Sequence, residues 1–236
     1  MPVEPIQPRQ PGPPKVPRAV RERQMLEVAT RVFAQRGYDA ASIEEIAEGA
    51  GISRPMVYAY FGSKEGLYAA CIQHAGARLL KLINVAASAD VTPEEQLWAG
   101  IVAFFDFVER HGEEWRVLYR EAAAQGGPFA AEVERVRGEI ARLVAQQLGE
   151  VTEAEGIDSP LVAEMEWLAH ALVGAAESLA RLWPGRSGVS REDIATRLMN
   201  FAWLGFDRLV HGEVWIPSSS AAHVVRLRRS DRATRP

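Results

Sequence analysis

The chain has 236 residues, 47% of them hydrophobic and 25% charged, with a formal net charge of -4 and one cysteine. No stretch nears the roughly 18 unbroken apolar residues of a membrane span, and Cys71 alone excludes an intrachain disulfide and an all-cysteine zinc site. The length suits a small domain joined to a larger one, since domains run to roughly 100–200 residues.

The N-terminus lacks the apolar core of a secretion signal, so the expected compartment is a reducing cytoplasm, with no membrane partner. An acidic chain looks wrong for a nucleic-acid binder, but the charge is unevenly placed. Residues 1–70 carry 9 Lys/Arg against 8 Asp/Glu, residues 71–211 carry 13 against 21, and residues 212–236 carry 5 against 2. The acidity belongs to the middle of the chain, and the ends are neutral to basic.

Residues 1–17 are dense in proline and poor in apolar side chains, which reads as an extended, disordered arm. From Arg18 to Arg36, Val20, Met25, Leu26, Ala29, Val32 and Phe33 fall mostly three and four apart, the period of an amphipathic helix, and Gly37 stops it. Ser42 is placed to cap a second helix ending near Ala50, with Glu45 completing a capping-box pattern. Gly51 breaks that helix. Ser53 is placed to cap a third, short helix from about Arg54 to Tyr60, with Pro55 in its first turn, where a missing N–H costs nothing. Gly62 and Ser63 punctuate before a long fourth helix that runs to about Val85.

Beyond Asp90 no strand pattern occurs. Thr92-Pro93-Glu94-Glu95 opens a helix to about Arg110, another covers Glu113 to Ala124, and Gly126-Gly127-Pro128 makes a turn. Further helices span about Phe129–Leu148, Pro160–Trp183 and Ser190–His211, and residues 216–236 read as a basic, mostly disordered tail. The expected fold class is all-α.

Residues 29–67 have the grammar of a helix-turn-helix: a short capped helix, a glycine-containing turn, and a second short helix. Ile43, Ile46, Ala47, Val57 and Phe61 fall on inward positions, which leaves Arg54, Met56, Tyr58, Ala59 and Tyr60 to share the outer surface. In such motifs the second helix enters the major groove with its early residues at base edges. Phe33, Gly37-Tyr38, Ser42, Ile43, Ile46-Ala47, Ala50-Gly51, Ser53, Val57-Tyr58, Tyr60-Phe61 and Ser63-Lys64-Glu65, with Leu67, stand in an order and spacing that resembles the DNA-binding domain of the TetR (tetracycline repressor) family of bacterial regulators.

That resemblance implies a three-helix DNA-binding domain over 18–65, and a long fourth helix leading into a helical effector-binding and dimerisation domain over 66–215. It implies that Tyr58, Tyr60 and Lys64 contact phosphates and that Ser42 and Ser53 present helix N-termini to the DNA backbone. Arg54, Pro55, Met56 and Ala59 would then lie at the bases. Taken singly, the tyrosines also read as half-buried aromatics and Lys64 as a solvated surface lysine. The domain's near-neutral charge implies local placement, with Arg18, Arg21, Arg54 and Lys64 toward DNA and Glu27, Glu44, Glu45 and Glu48 away from it.

In the larger half, the helices over 160–183 and 190–211 are too apolar for one buried face each. Leu168, Leu172, Ala176, Leu198, Phe201 and Gly205 are the expected interface of a homodimer, with two helices from each protomer supplying the two-fold axis that a palindromic operator on double-stranded DNA requires. A small-molecule effector pocket is expected among the preceding helices, at His74, Phe104, Phe105, Trp115, Tyr119, Trp167 and His170. Glu166, His170 and Glu177 share one face and read either as an exposed edge or as a pocket wall. Glu166 with His170 has no third metal ligand nearby in sequence, so no metal and no cofactor is expected.

No nucleophile elbow, phosphate loop, HExxH pair or paired-carboxylate arrangement occurs, so the chain is not read as an enzyme. The expected function is a homodimeric repressor released from its operator by a small lipophilic ligand. The alternative is a regulator whose C-terminal domain only dimerises or binds a protein partner.

Overall fold

The computed structural model describes residues 17–88, 91–121, 127–154, 161–183, 188–210, 213–216 and 223–226. The expected proline-rich arm lies outside these apart from Pro17. Its helices are α1 (Arg18–Ala40), α2 (Ile43–Gly49), α3 (Arg54–Phe61), α4 (Lys64–Ala87), α5 (Pro93–Arg110), α6 (Gly112–Trp115), the π-helical α7 (Arg116–Glu121), α8 (Gly127–Ala154), α9 (Leu161–Leu182) and α10 (Arg191–Val210). The fold is all-α, as the periodicity predicts, with one addition at its end.

Local chemistry sets the helix ends. α1 breaks at Gly37, whose φ of 79° and ψ of 166° a side-chain-bearing residue adopts with difficulty. The Ser42 hydroxyl accepts from Glu45 N at 3.0 Å. The reciprocal half of that capping box is absent, because the Glu45 carboxylate turns to Arg36 instead, at 3.4 Å. The box is complete at α5, where Thr92 Oγ1 accepts from Glu95 N at 3.3 Å and Glu95 accepts from Thr92 N at 3.0 Å. Ser53 sits at the start of α3 without making the expected side-chain cap, whereas Ser63 caps α4 through Gly66 N at 3.0 Å.

Two stretches depart from the sequence reading. The helix expected over Glu113–Ala124 is a single α-turn followed by the π-helix of α7, with residues 122–126 outside the described region. At the boundary between the expected helical domain and the expected tail, Glu213–Ile216 pairs antiparallel with His223–Arg226 inside that tail, in a register that sets Val214 opposite Val225 and Trp215 opposite Val224. The β-branched and aromatic residues concentrated in EVWI and HVVR favour that extended pairing. Five arginines in the tail had masked this signal in a reading by charge.

One hydrophobic core runs from α1 through α10, so the two expected domains share an interior across their boundary at Glu65. An aromatic cluster ties them. Tyr68 on α4 packs against Phe33 and Tyr38 of α1 with centroids 4.9 Å apart in each case, and against Phe129 of α8 at 4.8 Å.

The corner between α3 and α4 is tight enough to demand glycine, because a Cβ on Gly66 would stand 2.1 Å from the Phe61 carbonyl oxygen. Gly66→Ala is therefore expected to force the backbone apart and destabilise the protein by about 1–3 kcal/mol, the range for overpacked sites. Thermal unfolding checks this, and an unchanged Tm would mean that the corner relaxes freely.

Candidate DNA interface and effector cavity

The helix-turn-helix presents one outer face. Val57 is buried in the core and anchors α3 there, worth roughly 1.5–3 kcal/mol for a side chain of its size. Arg54, Pro55, Met56, Tyr58 and Ala59 are exposed together on the opposite side, and Tyr60 is half-buried. Every α3 residue expected at the DNA is thus brought to the outer surface.

The charges around that face are already engaged. Arg54 pairs with Glu44 at 2.5 Å, which corrects the expectation that Glu44 faces away. The reason is geometric: Glu44, in the first turn of α2, reaches the first residue of α3 across the turn. Both side chains are more than half exposed, so the pair is worth under about 1 kcal/mol and a phosphate or a base can displace it. The Arg18 guanidinium lies over the Tyr60 ring, 4.8 Å from its centroid. Among the described residues, Lys64 makes no salt bridge to a carboxylate. Its ammonium donates to the Asp39 carbonyl at 3.1 Å and sits 4.8 Å from the centroid of the Tyr38 ring. An ammonium has three donors, so two remain for a phosphate at the start of α4. The Tyr38 hydroxyl donates to Glu65 at 2.9 Å, and burial together with that carboxylate pushes its pKa up to about 12.

In the larger half, a narrow apolar cleft with about 510 Å³ of empty space, its mouth included, is lined by residues of α4, α5, α7, α8, α9 and α10. Of the seven expected pocket residues, Phe104 and Tyr119 line it. Trp115 and Phe105 stand behind these two. The Trp115 ring is 4.1 Å from Tyr119, and Phe105 bridges Phe104 at 5.1 Å and Trp183 at 5.8 Å. His74 is half-buried on α4 and absent from the lining. Trp167 and His170 are exposed on the outside of α9.

Of the residues expected at a dimer interface, Ala176 and Leu198 line the cleft, and Leu172 lies between it and an outer groove lined with Leu168, Phe201 and Gly205. Leu172 and Leu198 are buried within the protomer, because their faces of α9 and α10 turn toward α5 and α8. Of the expected interface, Phe201 and Gly205 are exposed and Leu168 is half-buried, and they share the outer surface with Trp167 and Leu204. Phe201 and Trp167 are each 77% exposed, large apolar faces left uncovered by this chain.

Sequence reasoning missed Gln147, and it read Glu177 as part of an exposed edge or a pocket wall, neither of which is where it lies. Gln147, on α8, is a polar residue of the cleft lining and is only 7% exposed. Glu177, on α9, is buried and chelated by Arg137 of α8, with Nε 2.8 Å from Oε1 and Nη2 2.6 Å from Oε2. The partners lie 40 residues apart, and periodicity on either helix alone cannot pair them. Burial first, and then the Glu177 carboxylate, raise the pKa of Tyr119. Burial also pushes the Cys71 thiol up to about 12, which leaves it a neutral core side chain.

Among the described residues, no helix is long and apolar enough to cross a membrane. A family profile described as bacterial regulatory proteins, tetR family, matches residues 25–71, and one described as tetracyclin repressor-like, C-terminal domain, matches 93–205. The HTH-type transcriptional activator FasR of Mycolicibacterium smegmatis is 30% identical over 190 residues, covering 80% of this chain and 84% of that protein. A TetR-like transcriptional regulator from Rhodococcus sp. RHA1 superposes with a TM-score of 0.67 at 38% identity, over 82% of this chain and 99% of that one. The transcriptional regulator FadR from Bacillus subtilis, solved in complex with stearoyl-CoA, has a TM-score of 0.68 at 15% identity, over 76% and 96%. That last likeness is one of fold.

Proposed function

The chain belongs to the TetR family of bacterial regulators, and from that premise we propose that it is a homodimer that binds a palindromic operator and leaves it when a small lipophilic molecule enters the cleft. The observation that carries the DNA part is the outer face of α3, where Arg54, Met56, Tyr58 and Ala59 are exposed together while Val57 anchors the helix. The uncovered apolar residues of α9 and α10 support a second copy as partner, and two-fold symmetry then supplies the second reading head. The apolar cleft supports a lipophilic effector, and stearoyl-CoA on FadR is a precedent for one on this fold.

FasR is an activator. Release from DNA raises or lowers transcription according to where the operator lies, so the proposed event is the release itself, with repression following from an operator that overlaps a promoter. The narrowness of the cleft favours the second reading, a C-terminal domain that only dimerises or binds a protein.

Selection of genomic fragments by the purified protein tests the proposal, with an Arg54→Ala, Lys64→Ala variant run beside it. The wild type is expected to enrich a palindrome. The variant, losing one base contact and one phosphate contact, is expected to bind it about a hundredfold or more weakly, at roughly 1–3 kcal/mol for the base contact alone. Equal enrichment by both proteins removes these residues from the interface. A palindrome that no lipophilic molecule releases would select the second reading.

A further inference from the structure

The helix-turn-helix carries a carboxylate on the side where α3 is offered to DNA. Glu44 is exposed in the first turn of α2, and its Oε1 lies 2.5 Å from Nη1 of Arg54, the first residue of α3. Its neighbour Glu45 is occupied elsewhere, with Arg36 at 3.4 Å. A carboxylate in this position repels every phosphate that approaches and lowers affinity for DNA of any sequence. Glu45 already gives the first turn of α2 an acid to meet the helix dipole, so a second acid there adds little to the helix itself.

What the carboxylate does is set by the shape of its partner. A guanidinium holds five N–H donors in a planar fork, and Glu44 occupies the Nη1 end alone. Nε and Nη2 are without a partner among the described residues, and together they can donate to the O6 and N7 of one guanine, the commonest specific contact in the major groove. A guanine is neutral, so Arg54 meets it with Glu44 still in place. A phosphate is different. To reach one, the guanidinium either carries the carboxylate against the polyanion or leaves it unpaired beside it. The pair therefore penalises a phosphate contact and spares a base contact.

Resting on the reading of α3 as the helix that reads the operator, we infer that Glu44 is a specificity-determining residue that acts through Arg54. It is a positioning residue and touches no base. It holds the free edge of the Arg54 fork for one guanine in each half-site and withholds that cation from the phosphates of other sequences, so that general attraction to DNA is given up for discrimination. The near-balance of residues 1–70, with 9 Lys/Arg against 8 Asp/Glu, fits a reading head that avoids general attraction to phosphate.

Fluorescence anisotropy of the full-length protein tests this on two duplexes of equal length, the palindrome enriched from the genome and a scramble of it, over a range of salt. Glu44→Gln keeps the size of the side chain and removes its charge. The ratio of operator to scramble affinity is expected to fall by about tenfold in this variant, within the range of one bidentate base contact, chiefly because the scramble binds more tightly. On the scramble, the slope of log affinity against log salt is expected to steepen by about one for each reading head, the effect of one added phosphate contact. Glu44→Ala is expected to act in the same direction, which guards against a folding defect in the first variant. In an Arg54→Ala background, Glu44→Gln is expected to leave the ratio unchanged, since the carboxylate acts through that guanidinium. An equal gain on both duplexes overturns the inference and leaves Glu44 a general repulsive charge. A ratio that falls as far without Arg54 also overturns it, and puts Glu44 on a base directly. If Arg54→Ala weakens the operator complex while Glu44→Gln changes neither ratio nor slope, the inference fails alone. If Arg54→Ala leaves operator affinity at the wild-type value, the reading of Arg54 as a base contact fails, and the inference falls with it.

Discussion

Phe201→Asp is expected to give a folded monomer that has lost its operator. Phe201 is 77% exposed on α10, so within one chain the substitution touches little, and stability should change by no more than about 0.5 kcal/mol. In the proposed dimer the same ring is covered by the partner. Losing a central aromatic typically weakens an interface by about 2–4 kcal/mol, and a carboxylate in its place adds a desolvation penalty. Sedimentation velocity at micromolar concentration should show the mass halve while the Tm stays within a degree or two. Operator affinity should fall by about a hundredfold or more, because the second half-site then binds without the effective concentration that the dimer provides. A dimer that survives Phe201→Asp places the interface off this face of α10. A monomer that still binds the palindrome with wild-type affinity removes the need for a dimer altogether.

The helix-turn-helix was legible in the sequence because its signals are local. Glycine at a break, serine at a cap, and apolar residues three and four apart each act within one turn of helix, so Val57 could be placed inward and Arg54 outward from spacing alone. The cleft was only half legible. Phe104 and Tyr119 stood out as aromatics on helical faces, but Gln147 looks like any surface glutamine on a helix whose opposite side is apolar. Leu172 and Leu198 are buried within the protomer, and they show what spacing leaves open: on helices apolar all round, the sequence does not say which side meets the protomer's own core and which meets a partner. Trp167 is the converse case, a large aromatic that reads as interior and stands outside. The hairpin at the end of the chain was hidden by composition, since Arg226 and its neighbours suggested a solvated tail while Val224 and Val225 sat in a run too short for a firm strand pattern.

The buried pair between Glu177 and Arg137 should be the polar contact whose loss costs the larger half most. Glu177 is 3% exposed and both its oxygens are held by one guanidinium, in the two-pronged geometry that makes such contacts strong. Glu177→Ala leaves that guanidinium facing an apolar void. Breaking a fully buried pair costs roughly 3–5 kcal/mol. Here the Arg137 side chain retains 28% exposure and keeps Glu134, so a loss nearer about 2–3 kcal/mol is expected from that scale. For a chain of this length that corresponds to a Tm lower by about 4–10 °C. The double replacement Arg137→Met, Glu177→Leu removes both charges and refills the space, and it should recover most of the loss, since apolar isosteres often replace such pairs at little cost. Recovery in the double variant would identify the pair as a fastener between α8 and α9 rather than a source of net stability. A Glu177→Ala protein within about 0.5 kcal/mol of wild type would mean that Arg137 finds other partners and that the pair fastens nothing.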